Sequence, residues 1–119
     1  IRSAKFYNEL IENKNLPIEI PLISDKAEHV YQMYTVIVDS DIRNDLVKEL
    51  NENGIGASVH FDPPVHKQEY YKNYEIRESL ANTEFLSDSI VTLPMFSTIT
   101  DKEISYVVNT LEKLLNSKN

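Results

Sequence analysis

Two histidines on either side of a proline turn are the side chains of this chain best suited to chemistry. His60 and His66 flank Pro63-Pro64, and an imidazole can donate, accept or exchange a proton near neutral pH. The two prolines fix successive φ angles and remove two amide donors, so a sheet cannot continue through them. The sequence therefore predicts a stiff turn that holds Phe61 and His66 at a defined offset.

The polar and aromatic residues around this turn leave several functions open. A histidine at the end of a strand is more often a hydrogen-bonded structural group than a functional one. A metal site needs three or four ligands, and neither histidine has a helical partner four residues away or a cysteine nearby, so metal binding is disfavoured. Asp62 and Glu69 show no spacing that pairs them as a general acid and base. Tyr70, Tyr71 and Tyr74 could stack on a base or a sugar, or simply fill a loop.

A helix followed by a strand is predicted to lead into the turn. Ser40-Asp41 can cap a helix whose apolar stripe ends at Gly54, a residue that suits the left-handed conformation found after many helices. Apolar side chains then alternate with small or polar ones, which predicts a strand at 55–61 with His60 facing away from the aliphatic side. The apolar set is Ile55, Ala57, Val59 and Phe61, and the other set is Gly56, Ser58 and His60.

The rest of the chain predicts further elements around this segment. An amphipathic helix runs from Arg2 to Asn13 without a visible N-cap, and we expect its apolar side to pack partly on a further domain and to make it the least stable element. A β-branched and aromatic run predicts a central strand at 30–38 that is covered on both faces. The other elements are a helix at 79–89 with Leu80, Phe85 and Leu86 inward, a strand at 90–93, and a helix from a Thr100–Glu103 capping box to Leu115.

These elements predict one domain of the α+β class. The expected architecture has two layers, with a small mixed or antiparallel sheet of three to four strands and helices mainly on one face. A chain of 119 residues is long enough to bury a core of its own.

Composition excludes several classes of partner. Asp and Glu number 19 against 12 Lys and Arg, which gives a formal charge of −7, so a nucleic acid would meet net repulsion. No apolar run approaches the roughly 20 residues that cross a bilayer, and no hydrophobic signal segment opens the chain. Cysteine is absent, which fits a reducing cytoplasm better than secretion. We expect a cytoplasmic protein with no nucleic-acid or membrane partner.

The order of residues around the two histidines follows a family pattern. Gly54-Ile55, a short strand, His60-Phe61, Pro-Pro, a hydrophobic residue, His66, Gln and Tyr occur in succession. This order resembles the C-terminal domain of the DegT/DnrJ/EryC1/StrS sugar aminotransferases. Further segments resemble the same family in the same order along nearly the whole chain: Arg2–Leu10, Arg43–Leu46, Leu50–Ile55, Leu80–Glu84 and Leu93–Phe96.

The resemblance implies an enzyme that uses pyridoxal phosphate to aminate a nucleotide-linked keto-sugar, for surface polysaccharide or other amino-sugar biosynthesis. It also implies an amino donor such as glutamate and an active site completed in a homodimer. Residues 1–16 would be the helix that links a large domain to this one, and 17–119 the C-terminal small domain of a fold-type I aminotransferase. His60, Phe61 and His66 would approach and position the nucleotide-sugar, since the cofactor and its lysine carry the covalent chemistry.

Two departures from the family pattern limit what carries over. Ala81 stands where the family usually has proline, which relaxes the turn into the following helix. No lysine of this chain matches the Schiff-base motif, and the aspartate that pairs the pyridine nitrogen and the phosphate-binding residues have no counterpart here either. We therefore expect no catalytic or cofactor-binding residue in the chain, and no activity from these 119 residues alone. Two alternatives stay open, a stand-alone ligand-binding module and a subunit-docking domain that uses the first helix.

Overall fold

The computed structural model describes residues 1–76 and 78–118. Arg77 and Asn119, both inside the predicted domain at 17–119, lie outside the described residues. The regular elements are α1 (Arg2–Asn13), β1 (Tyr34–Ile37), α2 (Ser40–Glu52), α3 (Ala81–Ser89), β2 (Ile90–Leu93) and α4 (Asp101–Ser117), with short 3-10 turns at Val65–Lys67 and Glu69–Tyr71. The predicted α+β class is confirmed. Within the described residues, no helix is both long and apolar enough to span a membrane.

The sheet has two regular strands with one bridge on each side. β1 and β2 are antiparallel, with Tyr34 opposite Leu93 at one end and Ile37 opposite Ile90 at the other. A single bridge, Glu19 to Ile37, extends the β1 edge, and another, Ser58 to Thr92, extends the β2 edge. The predicted strand at 90–93 is confirmed, and four segments lie side by side although only the central two are strands.

The predicted strand at 30–38 begins later than expected. β1 starts at Tyr34 because Tyr31 adopts a left-handed backbone conformation with φ 53°, which interrupts extended chain. The amide N–H of Tyr31 donates to His29 Nδ1 at 2.9 Å instead of to a neighbouring strand. Tyr34 and Val36 are buried while Thr35 is half-buried, so both faces of this short strand are largely covered, as predicted.

The predicted strand at 55–61 is wrong as a regular strand. The Ala57 N–H donates to the Ile55 carbonyl at 2.7 Å, which folds the chain into a tight turn. The Asn51 side chain donates to the Ala57 carbonyl at 2.8 Å and so takes an acceptor that a strand would need. Only Ser58 then reaches the sheet, and the segment leaves it before Phe61.

Tyr7 joins α1 to the sheet and to the chain before α4. Its ring stacks on Tyr34 with 4.5 Å between ring centroids, and its hydroxyl donates to the Pro94 carbonyl at 2.9 Å. Ala4 and Ile11, on the same side of α1, are also buried, and α4 packs along this helix. The chain thus buries three residues of the predicted apolar stripe itself and leaves the fourth, Leu10, half-buried, and a contact of this helix with a further domain stays a prediction.

The helices end where their capping residues predicted, except that the N-cap of α2 lies one residue earlier. The Thr100 hydroxyl accepts from the Glu103 N–H at 3.2 Å and the Glu103 carboxylate accepts from the Thr100 N–H at 2.8 Å, so the predicted capping box is confirmed. α2 is capped one residue earlier than predicted, since Asp39 Oδ1 accepts from the Asp41 N–H at 2.9 Å. Gly54 has φ 75°, the left-handed conformation expected after the helix.

The predicted inward face of α3 is wrong. Leu80, Phe85 and Leu86 are exposed, while Ser87 and Ser89 are buried. Because serine is small, the face of α3 that carries Ser87 and Ser89 can approach the chain around Phe61. The longer apolar side chains then face outward.

We predict that Tyr7→Ala lowers the free energy of unfolding by about 3–5 kcal/mol, since it empties a fully buried aromatic position. Tyr70→Ala is the matched control, and because Tyr70 is exposed its cost is less than about 1 kcal/mol. Urea denaturation of the two variants measures the difference. Equal costs would contradict the placement of α1 in the core.

Candidate functional site

The loop from His60 to His66 leaves the sheet edge and passes between α2 and α3. His60 is exposed, and its Nδ1 lies 3.2 Å from Thr92 Oγ1 and 3.4 Å from Ser58 Oγ. Both hydroxyls belong to the bridge that joins the loop to β2. The bridge therefore fixes where the imidazole stands and directs it away from the aliphatic core, as predicted.

Phe61 lies on the surface and not in the core. Its side chain is 71% exposed, and its ring meets the His60 ring edge to face with 5.3 Å between centroids. The predicted position of Phe61 on the apolar side of a strand is wrong, because the segment has left the sheet after Ser58. The His60–Phe61 and Asp62–Pro63 peptide bonds are both cis.

A buried arginine on α2 holds the middle of the loop. Arg43 Nη2 donates to Asp62 Oδ2 at 2.8 Å, and the arginine side chain is only 4% exposed. A guanidinium stays protonated in proteins and loses its hydration when buried, so an anion close by is needed to compensate it. Its Nε and Nη1 atoms have no hydrogen-bond partner among the described residues, which makes Asp62 its main compensation.

A serine on α3 holds the same loop from the other side. The buried Ser87 hydroxyl donates to the Phe61 carbonyl at 3.0 Å. This bond supplies a partner for a backbone carbonyl that no strand can pair here. The loop is thus attached to α2 through a side chain and to α3 through its backbone, and the rings of His60 and Phe61 remain outside both contacts.

His66 is tied to the start of α3. Its Nε2 lies 2.9 Å from Glu84 Oε1, and Lys67 Nζ lies 3.4 Å from the same oxygen. The hydrogen bond from His66, followed by the contact with Lys67, holds the pKa of the Glu84 carboxyl below its usual range. The carboxylate is therefore an anion at neutral pH. Its contribution to stability is complete above the unfolded pKa and is lost as the pH falls through the folded value.

The predicted tyrosine cluster is present next to His66. Tyr71 lies 4.9 Å from Tyr70 and 5.6 Å from Tyr74 between ring centroids, and all three side chains are exposed. Beside them lies an open cleft of about 340 Å³, lined by Val65, His66, Tyr71, Tyr74, Ile76, Leu80 and Thr83. The three tyrosines form an exposed aromatic surface, and His66 lines the cleft beside it.

The three predicted site residues lie on one loop but have different partners. His60 contacts the sheet edge and His66 contacts α3. Sequence reasoning missed the residues that hold them, namely Arg43, Glu84, Ser87 and Thr92. Arg43 did carry a signal, because a charged residue stands three residues before Leu46 and seven before Leu50 on the buried stripe of α2.

Residues 1–76 and 78–118 contain no group of three or more His, Asp or Glu side chains that is placed to hold a metal ion. The side chains of the loop offer hydrogen-bonding imidazole groups and an exposed aromatic ring.

Solved structures of larger proteins contain the same fold. The chain superimposes on DesI, crystallised in the presence of its TDP-sugar product, with a TM-score of 0.86, 21% identity, and coverage of 98% of this chain and 30% of that one. It superimposes on NtdA of Bacillus subtilis, crystallised with the bound cofactor PMP, with a TM-score of 0.80, 24% identity, and coverage of 96% and 27%. The architecture is thus shared with part of each of these larger enzymes.

Sequence comparison gives the family. The sequence model of the DegT/DnrJ/EryC1/StrS aminotransferase family matches residues 1–112. An uncharacterized protein of Methanocaldococcus jannaschii is 30% identical over 119 residues, which cover 95% of this chain and 30% of that protein. The chain belongs to the DegT/DnrJ/EryC1/StrS aminotransferase family, as its motifs indicated, and it spans about 30% of the length of this relative.

We predict that Asp62→Asn destabilises the chain by about 1–2 kcal/mol. This figure lies at or just below the lower end of the range for hydrogen bonds to charged groups, because the Asp62 side chain is 41% exposed and solvent screens the pair. Asp45→Asn, at an exposed position of α2, is the control and changes stability by less than about 0.5 kcal/mol.

The same substitution in an Arg43→Met background tests whether the cost comes from the buried charge. Without the guanidinium there is nothing for Asp62 to compensate, so Asp62→Asn then has little effect on the melting midpoint in urea. An undiminished cost in that background would show that Asp62 acts through another partner.

Proposed function

We propose that this chain is the C-terminal small domain of a pyridoxal-phosphate-dependent nucleotide-sugar aminotransferase. The enzyme transfers an amino group, from a donor such as glutamate, to a nucleotide-linked keto-sugar for surface polysaccharide or other amino-sugar biosynthesis. The observation that carries the proposal is the loop of His60, Phe61 and His66, whose backbone and Asp62 are held by buried Ser87 and Arg43. Family membership and the TDP-sugar product in the DesI structure support it.

The loop residues bind and position the sugar nucleotide in this proposal. His60 Nδ1 is engaged by Thr92 and Ser58, so Nε2 is the atom free to meet a ligand. The exposed Phe61 ring offers a flat apolar surface to a sugar or a base. His66 adds a second polar contact beyond the proline turn. None of the three is assigned a covalent step.

The domain division follows from the same proposal. Residues 1–16, which include α1, form the helix that leads from a large domain, and residues 17–119 form the small domain. In the complete enzyme the large domain holds pyridoxal phosphate, which supplies the covalent chemistry of amino transfer when bound. The complete protein is a homodimer in the cytoplasm, with no nucleic-acid or membrane partner.

The residues of this chain do not fit pyridoxal phosphate. Lys67, which lies beside His66, shares Glu84 with it and is an ion-paired ammonium group. A larger cavity of about 960 Å³ between the end of β2 and α4 is lined by a single lysine, Lys102, and its lining includes no aspartate among the described residues. In this proposal the Schiff-base lysine and the acidic partner for the pyridine nitrogen come from another part of the enzyme.

The subunit-docking alternative loses its basis in α1. That function requires a free apolar face on the first helix, and Ala4, Tyr7 and Ile11 are buried inside the chain.

The isolated chain is predicted to fold without binding pyridoxal phosphate and to lack aminotransferase activity. Addition of the cofactor, dialysis and an absorption scan test this, and the spectrum returns to that of the free protein. A lysine-bound cofactor band that survives dialysis and becomes permanent after borohydride reduction would refute it.

His60→Ala and His66→Ala in the complete enzyme are predicted to lower kcat/KM for the nucleotide-sugar and to leave the cofactor spectrum unchanged. Each substitution removes a hydrogen bond worth about 0.5–1.5 kcal/mol when neutral, a loss of about 2- to 10-fold. His60 shows the larger loss because it is held on the sheet edge. His29→Ala, at an exposed histidine outside the loop, is the control.

Melting temperatures of the same variants in the isolated chain separate binding from folding. Lower stability without a loss of kcat/KM would mean that the histidines are structural, and the assignment of the loop to the substrate would be wrong.

A further inference from the structure

The hydrogen bond between His66 and Glu84 settles which imidazole nitrogen carries a proton. The pKa of Glu84 lies below its usual range because of His66 and Lys67, so its side chain is an anion at neutral pH. A carboxylate can only accept hydrogen bonds. The 2.9 Å contact between Glu84 Oε1 and His66 Nε2 therefore requires the hydrogen to lie on Nε2.

When the imidazole is neutral, the other nitrogen is left with a lone pair. In a neutral imidazole with hydrogen on Nε2, the Nδ1 atom is an acceptor. Nδ1 of His66 has no hydrogen-bond partner among the described residues, although the side chain is only 11% exposed. His66 also lines the cleft that Tyr71 and Tyr74 help to form, so an acceptor with a fixed direction stands beside an aromatic surface.

We infer that Glu84 is a positioning residue that holds His66 in the Nε2–H tautomer, so that Nδ1 accepts a hydrogen bond from a hydroxyl or amino group of the sugar. The inference rests on the proposed function, because it takes His66 to contact the nucleotide-sugar. Nδ1 of His66 then faces a hydrogen-bond donor of the ligand. It does not face the phosphates, because their oxygens are acceptors and would meet its lone pair.

His60 provides an internal contrast. Its Nδ1 lies near two hydroxyl groups, those of Thr92 and Ser58. A hydroxyl can donate as well as accept, so these contacts do not select one tautomer. The fixed tautomer is a property of His66, which is paired with a carboxylate.

Nitrogen NMR of the ¹⁵N-labelled chain tests the tautomer directly, at a pH above the range in which imidazole titrates. Long-range proton–nitrogen correlations of His66 are expected to show a protonated Nε2 and an unprotonated Nδ1. In Glu84→Gln the carboxamide can donate as well as accept, so the two tautomers mix. Glu103→Gln, which removes another carboxylate of lowered pKa at the start of α4, leaves the His66 signals unchanged.

Two NMR results would overturn the inference. One is a wild-type His66 that is protonated mainly on Nδ1, and the other is a Glu84→Gln chain whose His66 signals match the wild type. Both readouts are independent of activity, so they hold whether or not the proposed function is correct.

The kinetics of the complete enzyme test whether the tautomer of His66 affects the reaction of the nucleotide-sugar. Glu84→Gln is expected to lower kcat/KM for the nucleotide-sugar by about 2-fold, because mixed tautomers leave about half of the His66 side chains with an unprotonated Nδ1. In a His66→Ala background the same change has no further effect, because Glu84 acts through the imidazole. Equal losses in both backgrounds would refute the positioning role.

Failure of the proposed function and failure of the role inferred for Glu84 give different results. If His66→Ala leaves kcat/KM intact, the proposed contact with the substrate is wrong, whatever the NMR shows. If His66→Ala lowers kcat/KM and Glu84→Gln does not, only the role of Glu84 is wrong.

Discussion

The arrangement of the site depends on a buried positive charge that cannot be removed. Arg43 lies on the inner side of α2, where its guanidinium has lost its water and cannot give up its proton. The structure compensates it with Asp62, at the centre of a loop that has no strand pairing of its own. The cost of leaving the guanidinium unpaired therefore keeps the loop on α2, and the positions of His60 and His66 on either side follow from that attachment.

Some groups of the loop are bound by side chains on the helices, and other groups of the loop are left without such a contact. Arg43, Ser87 and Glu84 lie on helices and bind a carboxylate, a carbonyl and an imidazole nitrogen of the loop. The Phe61 ring is exposed, and one nitrogen of His60 and one of His66 have no hydrogen-bond partner among the described residues. Because the supporting side chains belong to regular helices, the presented groups keep a defined geometry although they stand on irregular chain.

Local signals predicted much of the fold and less of the site. The capping box at Thr100, the left-handed Gly54 and the β-branched run of β2 each depend on neighbours in sequence, and all were confirmed. The strand at 55–61 failed because the Asn51 side chain competes for a backbone acceptor, which alternation cannot reveal. Glu84 and Ser87 were missed because their roles come from contacts that bridge 18 and 26 residues of chain.

A crystal structure of the complete enzyme with a bound nucleotide-sugar product would show whether this loop faces the ligand, as we propose. We expect an imidazole nitrogen of His60 and Nδ1 of His66 each to lie within about 2.7–3.2 Å of a ligand atom, with the Arg43–Asp62 pair intact. A ligand bound with neither histidine in contact, and with the loop packed against protein or open solvent, would contradict it.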